Sequence, residues 1–348
     1  MKTGLALLEE RITLKQGAGG RAMRALIEDI FLEGAPEVSP RDVGPRAMDD
    51  GAALWIGDRW VVVTTDSHVV QPIFFPGGDI GSLAVHGTVN DLAMCGALPL
   101  SLSAAFILEE GFAMADLWRI ANSMRNAALH VGIPIVTGDT KVVDRGKADG
   151  IFINTTGIGV VPDGVDIAPT RAQPGDVILI SGEIATHGIA IMSVREGLEF
   201  ETTLASDSAP LDAIAFELLE ALGRDVHVLR DPTRGGVASA VNEIAASAKV
   251  GMRLDEAAVP VLEDVRGACE ILGLDPLYVA NEGKMLAIVA RARADEALAV
   301  LRNDPLGRKA AIIGEVVDEH PGRVFMKSRI GGLRAVEMLS GEQLPRIC

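Results

Sequence analysis

Residues 49–66 read DDGAALWIGDRWVVVTTD, a stretch with the pattern of a β-hairpin that begins and ends on acidic residues. Apolar and β-branched residues form two strand-like runs, 52–56 and 60–65, and Gly57-Asp58 supplies the turn between them. Helix-like and strand-like segments alternate through the rest of the chain. The hairpin is therefore predicted to belong to a larger sheet that helices cover.

The alternation extends through both halves of the chain. In the first half, apolar spacing predicts helices at 21–32, 79–95 and 113–131 and further strands at 100–108, 133–137 and 151–161. In the second half it predicts strands at 177–181, 277–280, 284–290 and 311–317 and helices at 186–196, 209–222, 292–302 and after Gly236. This order indicates an α+β fold, with a mixed N-terminal sheet covered by helices on one face and a C-terminal α/β sandwich.

Length and proline distribution indicate two domains. A chain of 348 residues exceeds the roughly 250–300 residues at which single cores stop growing. Residues 161–176 contain three prolines among glycine and aspartate, which is typical of a hinge. We assign residues 1–40 to a Gly-rich segment with its helix and residues 41–161 to an N-terminal domain. Residues 162–335 are assigned to a C-terminal domain and residues 336–348 to a mobile tail.

Composition argues against several classes of protein. The formal net charge of −16 disfavours binding to nucleic acid or to acidic membranes, because both need a basic surface. The three cysteines form no CxxC pair, which argues against a disulfide framework and a structural zinc site. The N-terminal residues lack a signal-peptide pattern, and no apolar run reaches the roughly 18 residues of a membrane span. We expect a soluble cytoplasmic protein.

Acidic residues at the ends of apolar segments are the strongest functional signal. They are Asp49, Asp50, Asp66, Asp91 and Asp139, the last of which is expected just after a buried strand. Any one of them could be an ordinary helix cap or turn residue. As a set they should converge at the sheet ends, where half-buried carboxylates are costly without a partner. Because Mg²⁺ prefers carboxylates and phosphate oxygens, we predict a magnesium site.

Two glycine-bearing turns could bind phosphate. GAGGR at 17–21 opens a predicted helix, and such a turn presents backbone N–H groups to an anion. It is not a Walker A motif, because no Lys-Ser/Thr follows, and a plain flexible loop is an equal alternative. DPTRGG at 231–236 would place Arg234 within reach of an anion, and its alternative is an ordinary proline-led helix start.

Two further side chains could act as acid or base. Lys141 follows the acidic strand end, and Glu282 lies in a predicted turn between two strands. Each is more often a surface turn residue, but each could lie at the rim of a cleft. Gly283 would then allow a visiting segment to approach Glu282 closely.

Cys348 differs from the other two cysteines. Cys95 and Cys269 lie in apolar helical contexts, where cysteine is usually a small buried hydrophobe. Cys348 is the last residue of the sequence, and a terminal cysteine has no packing role there. A thiol on a flexible end can enter more than one active site, which is a property that a carrier of chemical groups needs.

These motifs resemble those of the HypE family of hydrogenase maturation proteins along the whole chain. The shared segments are GAGGR at 17–21, DDGA at 49–52, TD at 65–66, NDLAM at 90–94, GDTK at 138–141, DPTRGG at 231–236, NEG at 281–283 and PRIC at 345–348. The first several are common to a superfamily that includes aminoimidazole ribonucleotide synthetase, selenophosphate synthetase and thiamine-phosphate kinase. The terminal PRIC is specific to HypE.

The resemblance implies an ATP-dependent enzyme that dehydrates an S-carbamoyl group on its own terminal cysteine to a thiocyanate. It implies that the carbamoyltransferase HypF loads the thiol, and that HypC and HypD hold the iron that receives the cyano group for the [NiFe] hydrogenase centre. It further implies two α/β domains, with homodimerisation through the N-terminal sheet.

With the residue patterns, the resemblance gives a set of expected site residues. The expected catalytic residues are Cys348, Lys141 and Glu282, the expected nucleotide-binding residues are Gly17, Gly19, Gly20, Arg21, Asn90, Asp231, Arg234, Gly235 and Gly236, and the expected Mg²⁺ ligands are Asp49, Asp50, Asp66, Asp91 and Asp139.

Two alternative functions remain open at the level of sequence. A selenophosphate-synthetase-like enzyme should have a cysteine or selenocysteine near the N-terminal Gly-rich loop, but the first cysteine here is Cys95. A non-catalytic thiol carrier or scaffold would need only the terminal cysteine. The acidic residues disfavour this second alternative, because a pure scaffold has no use for a metal site.

Overall fold

The computed structural model describes residues 11–33, 43, 49–197, 204–341, 344 and 346–348. The expected domain boundary at residues 40 and 41 and the first residue of the terminal PRIC lie outside these ranges. The described residues form two domains, each built on its own sheet, and the site described below lies along the boundary between them.

The N-terminal domain is a mixed sheet with helices packed against one face. Its strands in chain order are β1 (Ala52–Ile56), β2 (Arg59–His68), the short pair β3 (Phe74–Phe75) and β4 (Gly78–Asp79), β5 (Leu98–Glu109), β6 (Ile135–Val143) and β7 (Ile151–Val160). Its helices are α1 (Arg21–Leu26), which continues as a π-helical turn, α2 (Ile80–Met94) and α3 (Met114–Val131). The main sheet has the order β1-β2-β7-β5-β6, and its β5–β6 pair is parallel.

Local sequence explains the central elements of this domain. The hairpin β1–β2 pairs Trp55 with Trp60 across the turn that Gly57-Asp58 predicts. The Asp79 carboxylate accepts hydrogen bonds from the main-chain N–H groups of Gly81 and Ser82, which caps the start of α2. Helices α2 and α3 share one apolar cluster with β5 and β7, as predicted for a sheet covered on one face.

The C-terminal domain is a sheet enclosed by helices on both faces. Its strands are β8 (Val177–Ile180), β9 (Val226–Arg230), β10 (Gly251–Asp255), β11 (Leu286–Val289), β12 (Ala311–Val317), β13 (Val324–Lys327) and β14 (Leu333–Val336), in the order β14-β13-β10-β12-β8-β11-β9. Its helices are α4 (Thr186–Glu196), α5 (Asp212–Leu222), α6 (Gly236–Ala248), α7 (Glu263–Leu272) and α8 (Ala294–Asn303).

Alternation along the buried strands separates the two helical layers. In β8, Ile178 and Ile180 pack with α4, α6 and α7, whereas Val177 and Leu179 pack with α5 and α8. The predicted α/β sandwich is therefore confirmed, and the predicted α+β class holds for the whole chain.

Two predicted segments differ in the structure. Residues 277–280 were predicted as a strand, but Pro276–Tyr278 form a 3₁₀ turn capped by the Asp275 side chain, which accepts from the Leu277 N–H, so that prediction is wrong. The strand predicted at 133–137 is β6, which continues to Val143, so GDTK at 138–141 lies inside a strand and not after it. The predictions also missed α7 and the strands β9, β10, β13 and β14, and these strands of four or five residues are too short to show a clear period.

Asn90 joins the two domains. Its side-chain amide donates to the carbonyl oxygens of Ala209 and Glu282, and its own oxygen accepts from the Leu211 N–H at 2.7 Å. These bonds tie α2 of the N-terminal domain to two loops of the C-terminal domain in a fully buried position. None of the described helices has the length and apolar character required to cross a bilayer.

Candidate active site

A cleft of about 370 Å³ opens between the two domains, and residues from both of them form its walls. The predicted site residues that line it are Gly19, Gly20, Asp49, Asp50, Asp66, Asp91, Asp231, Arg234, Gly236, Glu282 and Cys348. They come from segments far apart in the sequence, so the cleft exists only once both domains have folded and packed together.

Three carboxylates meet in this cleft. Oxygens of Asp50, which precedes β1, Asp91 on α2 and Asp231, which follows β9, all lie within 4.8 Å of one another. Asp91 Oδ2 accepts a hydrogen bond from Thr64 at 2.7 Å. Asp50 Oδ2 is buried and has no hydrogen-bond partner among the described residues. A hard oxygen donor set with an unpartnered buried oxygen fits a divalent cation such as Mg²⁺.

Burial makes these carboxylates hard to ionise. It is the largest cause that raises the pKa of Asp50 and of Asp91 well above the ordinary value, and the charges of the neighbouring carboxylates add to it. Burial likewise raises the pKa of Asp231 to about 6, although Arg230 opposes the effect. A cation placed between the three would favour their ionised forms.

Arg230 is the main basic group beside this cluster. Its guanidinium lies 3.0 Å from Asp50 Oδ1, 2.7 Å from Glu243 Oε2 and 3.8 Å from Asp49 Oδ1. Asp49 therefore lies against Arg230 and outside the set of three carboxylates whose oxygens lie within 4.8 Å. Neither Arg230 nor Glu243 was predicted. The one sequence signal for Arg230 is a charged residue between the short segment VHVL at 226–229 and DPTRGG.

The glycines of the N-terminal segment are required by close packing. A Cβ on Gly20 would lie 2.2 Å from the Leu339 carbonyl oxygen, and one on Gly19 would lie 2.4 Å from the Cβ of Arg234. Gly236, at the start of α6, has φ +61° and would place a Cβ 2.5 Å from the Leu277 carbonyl oxygen. The Gly-rich segment is thus held against the N-terminus of α6, at one wall of the cleft.

Glu282 is a buried acid rather than a surface turn residue, with 4% of its surface exposed. Burial raises its pKa well above the usual value, and the charges of Asp66, Asp231 and Asp207 add to that effect. Within the described chain, its Oε1 has no hydrogen-bond partner. An isolated carboxylate of this kind is a strong base once it is ionised.

Gly283 has a different role from the one expected. A Cβ at this position would lie 1.8 Å from the carbonyl oxygen of Asp207, so the crossing of the Asp207 loop requires glycine there. The expectation that Gly283 makes room for a visiting segment is therefore wrong, because the space is already filled by main chain.

The end of the chain lies inside the cleft. Ile347 is 3% exposed and packs in the N-terminal apolar cluster, and Cys348 lines the cleft together with Glu282 and Arg234. Burial raises the pKa of the Cys348 thiol to about 12, against the opposing charge of Arg234. The thiol in this position is therefore protonated at neutral pH. The structure shows residues 346–348 in one docked position, and the mobility of the tail stays a prediction.

Asp139 and Lys141 do not reach the cleft of their own chain. They pair with each other, with Lys141 Nζ 2.5 Å from Asp139 Oδ2, and both side chains are more than half exposed, at 62% and 66%. Every residue of β6 except Val143 is exposed, because β6 is an edge strand of the sheet as described.

The register of the sheet explains this separation. Asp66 is opposite Thr155, Thr155 is opposite Ala104, and Ala104 is opposite Gly138. Because successive side chains in a strand point to opposite faces, Asp139 faces away from the side on which Asp66 lies. For this reason Asp139 does not converge with the other acidic residues, contrary to the expectation from the sequence. The roles of Asp139 and Lys141 stay predictions.

Other expected nucleotide ligands also lie outside the cleft lining. Asn90 uses its side chain at the domain boundary, and the Arg21 side chain lies 3.4 Å from Glu337 at the surface. Gly235 packs against Ser239 and Gly19, and it immediately precedes Gly236, which lines the cleft. A Cβ on Gly17 would meet nothing within 4 Å among the described atoms, so packing does not require glycine there.

The fold and the cleft define the class of protein first. Family models of AIR synthase related proteins match this chain with their N-terminal domain at residues 48–161 and their C-terminal domain at residues 173–327. The first match spans the whole N-terminal sheet, and the second spans the C-terminal sheet from β8 to β13, with β14 beyond its end.

Relatives of high identity then place the chain within this class. It is 56% identical to carbamoyl dehydratase HypE of Cupriavidus necator, over 97% of this chain and 95% of the relative. A solved HypE–HypF complex contains a chain that is 47% identical, covers 90% of this chain and 100% of its own, and has a TM-score of 0.84. A solved HypE in complex with ATP is 50% identical, covers 97% of this chain and 100% of its own, and has a TM-score of 0.81.

The chain belongs to the HypE family of hydrogenase maturation proteins, and it is an enzyme of the carbamoyl dehydratase class. The resemblance drawn from the sequence motifs is thereby confirmed, and so is the two-domain fold that it implied.

The raised pKa of Asp231 gives a test of the carboxylate cluster in the cation-free protein. The folded state holds this proton more tightly than the unfolded state, so stability is lost as pH rises from about 4 through about 6. Asp231→Asn removes the ionisation, and we expect it to raise the free energy of unfolding at pH 7.5 by on the order of 2 kcal/mol.

The measurement is urea unfolding in the presence of a chelator at pH 4.5 and 7.5, with the exposed Asp163→Asn as the matched control. The gain should be small at pH 4.5, and the control should show none at either pH. A loss of stability in Asp231→Asn at pH 7.5 would contradict the electrostatic account of the cluster.

Proposed function

We propose that this enzyme uses ATP to convert an S-carbamoyl group on Cys348 into a thiocyanate, which supplies the cyano group for the iron of [NiFe] hydrogenase. One observation carries the proposal: the side chain of Cys348 lines the same cleft as a buried base, Glu282, and the three-carboxylate set. The names of the relatives support the reaction class, since they are carbamoyl dehydratases.

We further propose that ATP binds in this cleft with Mg²⁺. The solved HypE of 50% identity is in complex with ATP. The N-terminus of α6 and the Gly-rich segment lie at the cleft wall, and helix N-termini favour phosphate. Asp50, Asp91 and Asp231 would hold Mg²⁺, with Asp66 beside them, and bound there it would neutralise charge on the transferring phosphoryl group.

The reaction needs the oxygen of a carbamoyl group to leave, and ATP makes it a better leaving group. Transfer of the γ-phosphoryl group to that oxygen, with loss of one N–H proton, leaves an S-linked imidate phosphate and ADP. Loss of the second N–H proton then expels phosphate and forms the C≡N bond. The carbamoyl group has lost the elements of water, and ATP has become ADP and phosphate.

Glu282 is the residue that we assign to proton removal. Its burial among other acids makes it a stronger base than an ordinary carboxylate, and its Oε1 is unpartnered within the described chain. A positioned base of this kind typically contributes about 10²–10⁴-fold to a rate. Arg234, whose charge acts on Cys348 and Glu282, would offset negative charge that develops on the carbamoyl oxygen.

Loading of the thiol and dehydration would occur in different positions of the tail. The docked thiol is protonated, because its pKa is raised to about 12, and a thiol is a poor nucleophile. Outside the cleft the thiol would regain an ordinary pKa and could accept a carbamoyl group from HypF. A relative is found in complex with HypF, and we propose the same partner here, with HypC and HypD as the receivers of the cyano group.

We propose that a second copy of the chain covers the outer face of the N-terminal sheet. Ile107 and Ile158 point outward from that face and are 44% and 41% exposed, and β6 leaves an open strand edge beside them. Asp139 and Lys141 lie on the same face. In a symmetric pair, each copy could deliver these two side chains to a site of its partner, where Lys141 would stabilise charge on the carbamoyl oxygen.

A non-catalytic thiol carrier is the alternative of a different class. It would require the terminal thiol but neither Glu282 nor the carboxylate set. Burial of several unpaired acids beside the thiol is costly for a protein that only carries a group, which favours the enzyme.

Asp91→Asn tests the cation site. Loss of one of the three carboxylates should weaken Mg²⁺-dependent ATP binding by at least about ten-fold, because a direct ligand matters at least as much as its supporting residues. Calorimetric titration with ATP in the presence and absence of Mg²⁺ measures the effect. Asp58→Asn, on the exposed β1–β2 turn, is the matched control. Unchanged ATP affinity in both Asp91→Asn and Asp231→Asn would reject the cluster as the metal site.

Cys348→Ala tests the carrier residue. The variant should fold normally and take up neither a carbamoyl nor a cyano group, because the alanine has no sulfur. Mass spectrometry of the C-terminal peptide, after incubation with HypF and its carbamoyl donor and then with ATP, gives the result. Cys95→Ala and Cys269→Ala are the controls, and both should be modified normally. Modification of any other peptide in the wild-type protein would sink the assignment.

Glu282→Gln and Lys141→Ala test the dehydration step. Each variant should bind ATP and accept the carbamoyl group but form thiocyanate at least about ten-fold more slowly in a single turnover. In an equal mixture of the two variants, half of the dimers contain one chain of each kind. Each such dimer has one site with both Glu282 and Lys141, so about a quarter of all sites should be active. No recovery on mixing would show that Lys141 acts within its own chain, and wild-type rates in both variants would end both assignments.

A further inference from the structure

Hydrogen bonds to main-chain oxygens hold residues 346–348 in place. Three consecutive main-chain oxygens each accept a hydrogen bond: Gln71 N to Arg346 O at 3.2 Å, His187 Nε2 to Ile347 O at 2.8 Å and Val69 N to Cys348 O at 2.9 Å. The Arg195 guanidinium also donates to the Arg346 oxygen. Two of the donors are main-chain groups of the segment after β2, whereas His187 is a fully buried side chain of α4.

His187 has a defined hydrogen-bonding state. A carbonyl oxygen only accepts, so Nε2 must carry the hydrogen that bonds to Ile347. Nδ1 then accepts from the Ser206 hydroxyl at 2.7 Å. Burial lowers the pKa of His187, which keeps the ring neutral in this arrangement. The ring also packs edge-on against Phe75 at 5.7 Å, so both its tautomer and its orientation are held.

The register of the tail depends on contacts of its side chains. Ile347 is buried in the N-terminal apolar cluster, and the Arg346 guanidinium pairs with Asp149 on the other side. A slip of one residue would take Ile347 out of its apolar cluster and Arg346 away from Asp149, and it would displace the sulfur of Cys348 in the cleft. These side-chain contacts of the tail select its register, and the buried His187 ring then holds the carbonyl oxygen of Ile347 in that register.

We propose that His187 is the positioning residue for the C-terminal chain: by donating to the carbonyl oxygen of Ile347, it sets the place of Cys348 in the cleft. The docking itself does not depend on the proposed function, and only the consequence for the dehydration rate rests on it. His187 touches neither the carboxylate set nor the reacting atoms, so it acts through the tail.

Paired substitutions separate the two bonds of the ring. His187→Gln places an amide N–H near the position of Nε2 and should keep the bond to Ile347. His187→Asn places its amide near Nδ1, so it keeps a partner for Ser206 but does not reach the tail. Asparagine is therefore the test, and glutamine is the conservative rescue.

The readout is the rate at which iodoacetamide labels Cys348 in the full-length protein, followed by mass spectrometry of the C-terminal peptide. The docked thiol is only partly exposed and is protonated, so it reacts slowly, and the labelling rate rises with the fraction of undocked tail. Loss of a neutral hydrogen bond should raise the labelling rate of His187→Asn about five-fold, and His187→Gln should stay near the wild type. Cys269, buried in α7, reports on global unfolding in the same sample and should label at an unchanged rate.

Ser206→Ala provides an independent variant at a partly exposed position. It removes the hydroxyl that orients the ring, so it should raise the labelling rate of Cys348 in the same direction without a change at position 187. Single-turnover thiocyanate formation should slow in His187→Asn and recover in His187→Gln. Wild-type labelling in both His187→Asn and Ser206→Ala, or equal labelling in the asparagine and glutamine variants, would overturn the proposal whether or not the dehydration chemistry is correct.

Discussion

Repulsion between buried carboxylates is the constraint on which the rest of the structure depends. Asp50, Asp91 and Asp231 have oxygens within 4.8 Å of one another, and burial makes each of them hard to ionise. One arginine, Arg230, offsets part of this charge from the C-terminal domain, and Thr64 donates to Asp91 from β2. Such an arrangement is costly in free energy, and a cation placed between the three carboxylates would offset the repulsion, so the acidic centre marks the site more sharply than any single motif.

Burial, together with the acids around it, explains why the thiol of Cys348 is unreactive in the docked position. Docking buries the thiol of Cys348 near Glu282, and both groups then have raised pKa values. A neutral sulfur suffers no charge repulsion in that environment, whether it bears a hydrogen or a carbamoyl group. In the proposed reaction, loading of the thiol and base-assisted dehydration would therefore need different environments, and a chain end held by main-chain hydrogen bonds would supply both by docking and leaving.

Much of the fold was predictable because local signals agree with the tertiary structure. The Gly57-Asp58 turn, the Asp79 cap of α2 and the long amphipathic α3 all lie where spacing and capping chemistry place them. The short strands of the C-terminal domain were not predictable, because runs such as Val226–Arg230 carry no period. For the site, acids at segment ends identified Asp50, Asp66 and Asp91, whereas Arg230 and His187 act through partners that are distant in the sequence.

The sequence by itself determined the chemical groups that were available: carboxylates and glycines at the ends of apolar segments, a further carboxylate within NEG, and the thiol of Cys348. Only the tertiary structure decided which of these groups meet. Asp66 and Asp139 look alike in sequence, yet the pairing of β2, β7, β5 and β6 puts them on opposite faces of one sheet. The physical reason is that side chains alternate along a strand, so register across several strands, which no local pattern encodes, sets the face on which each side chain lies.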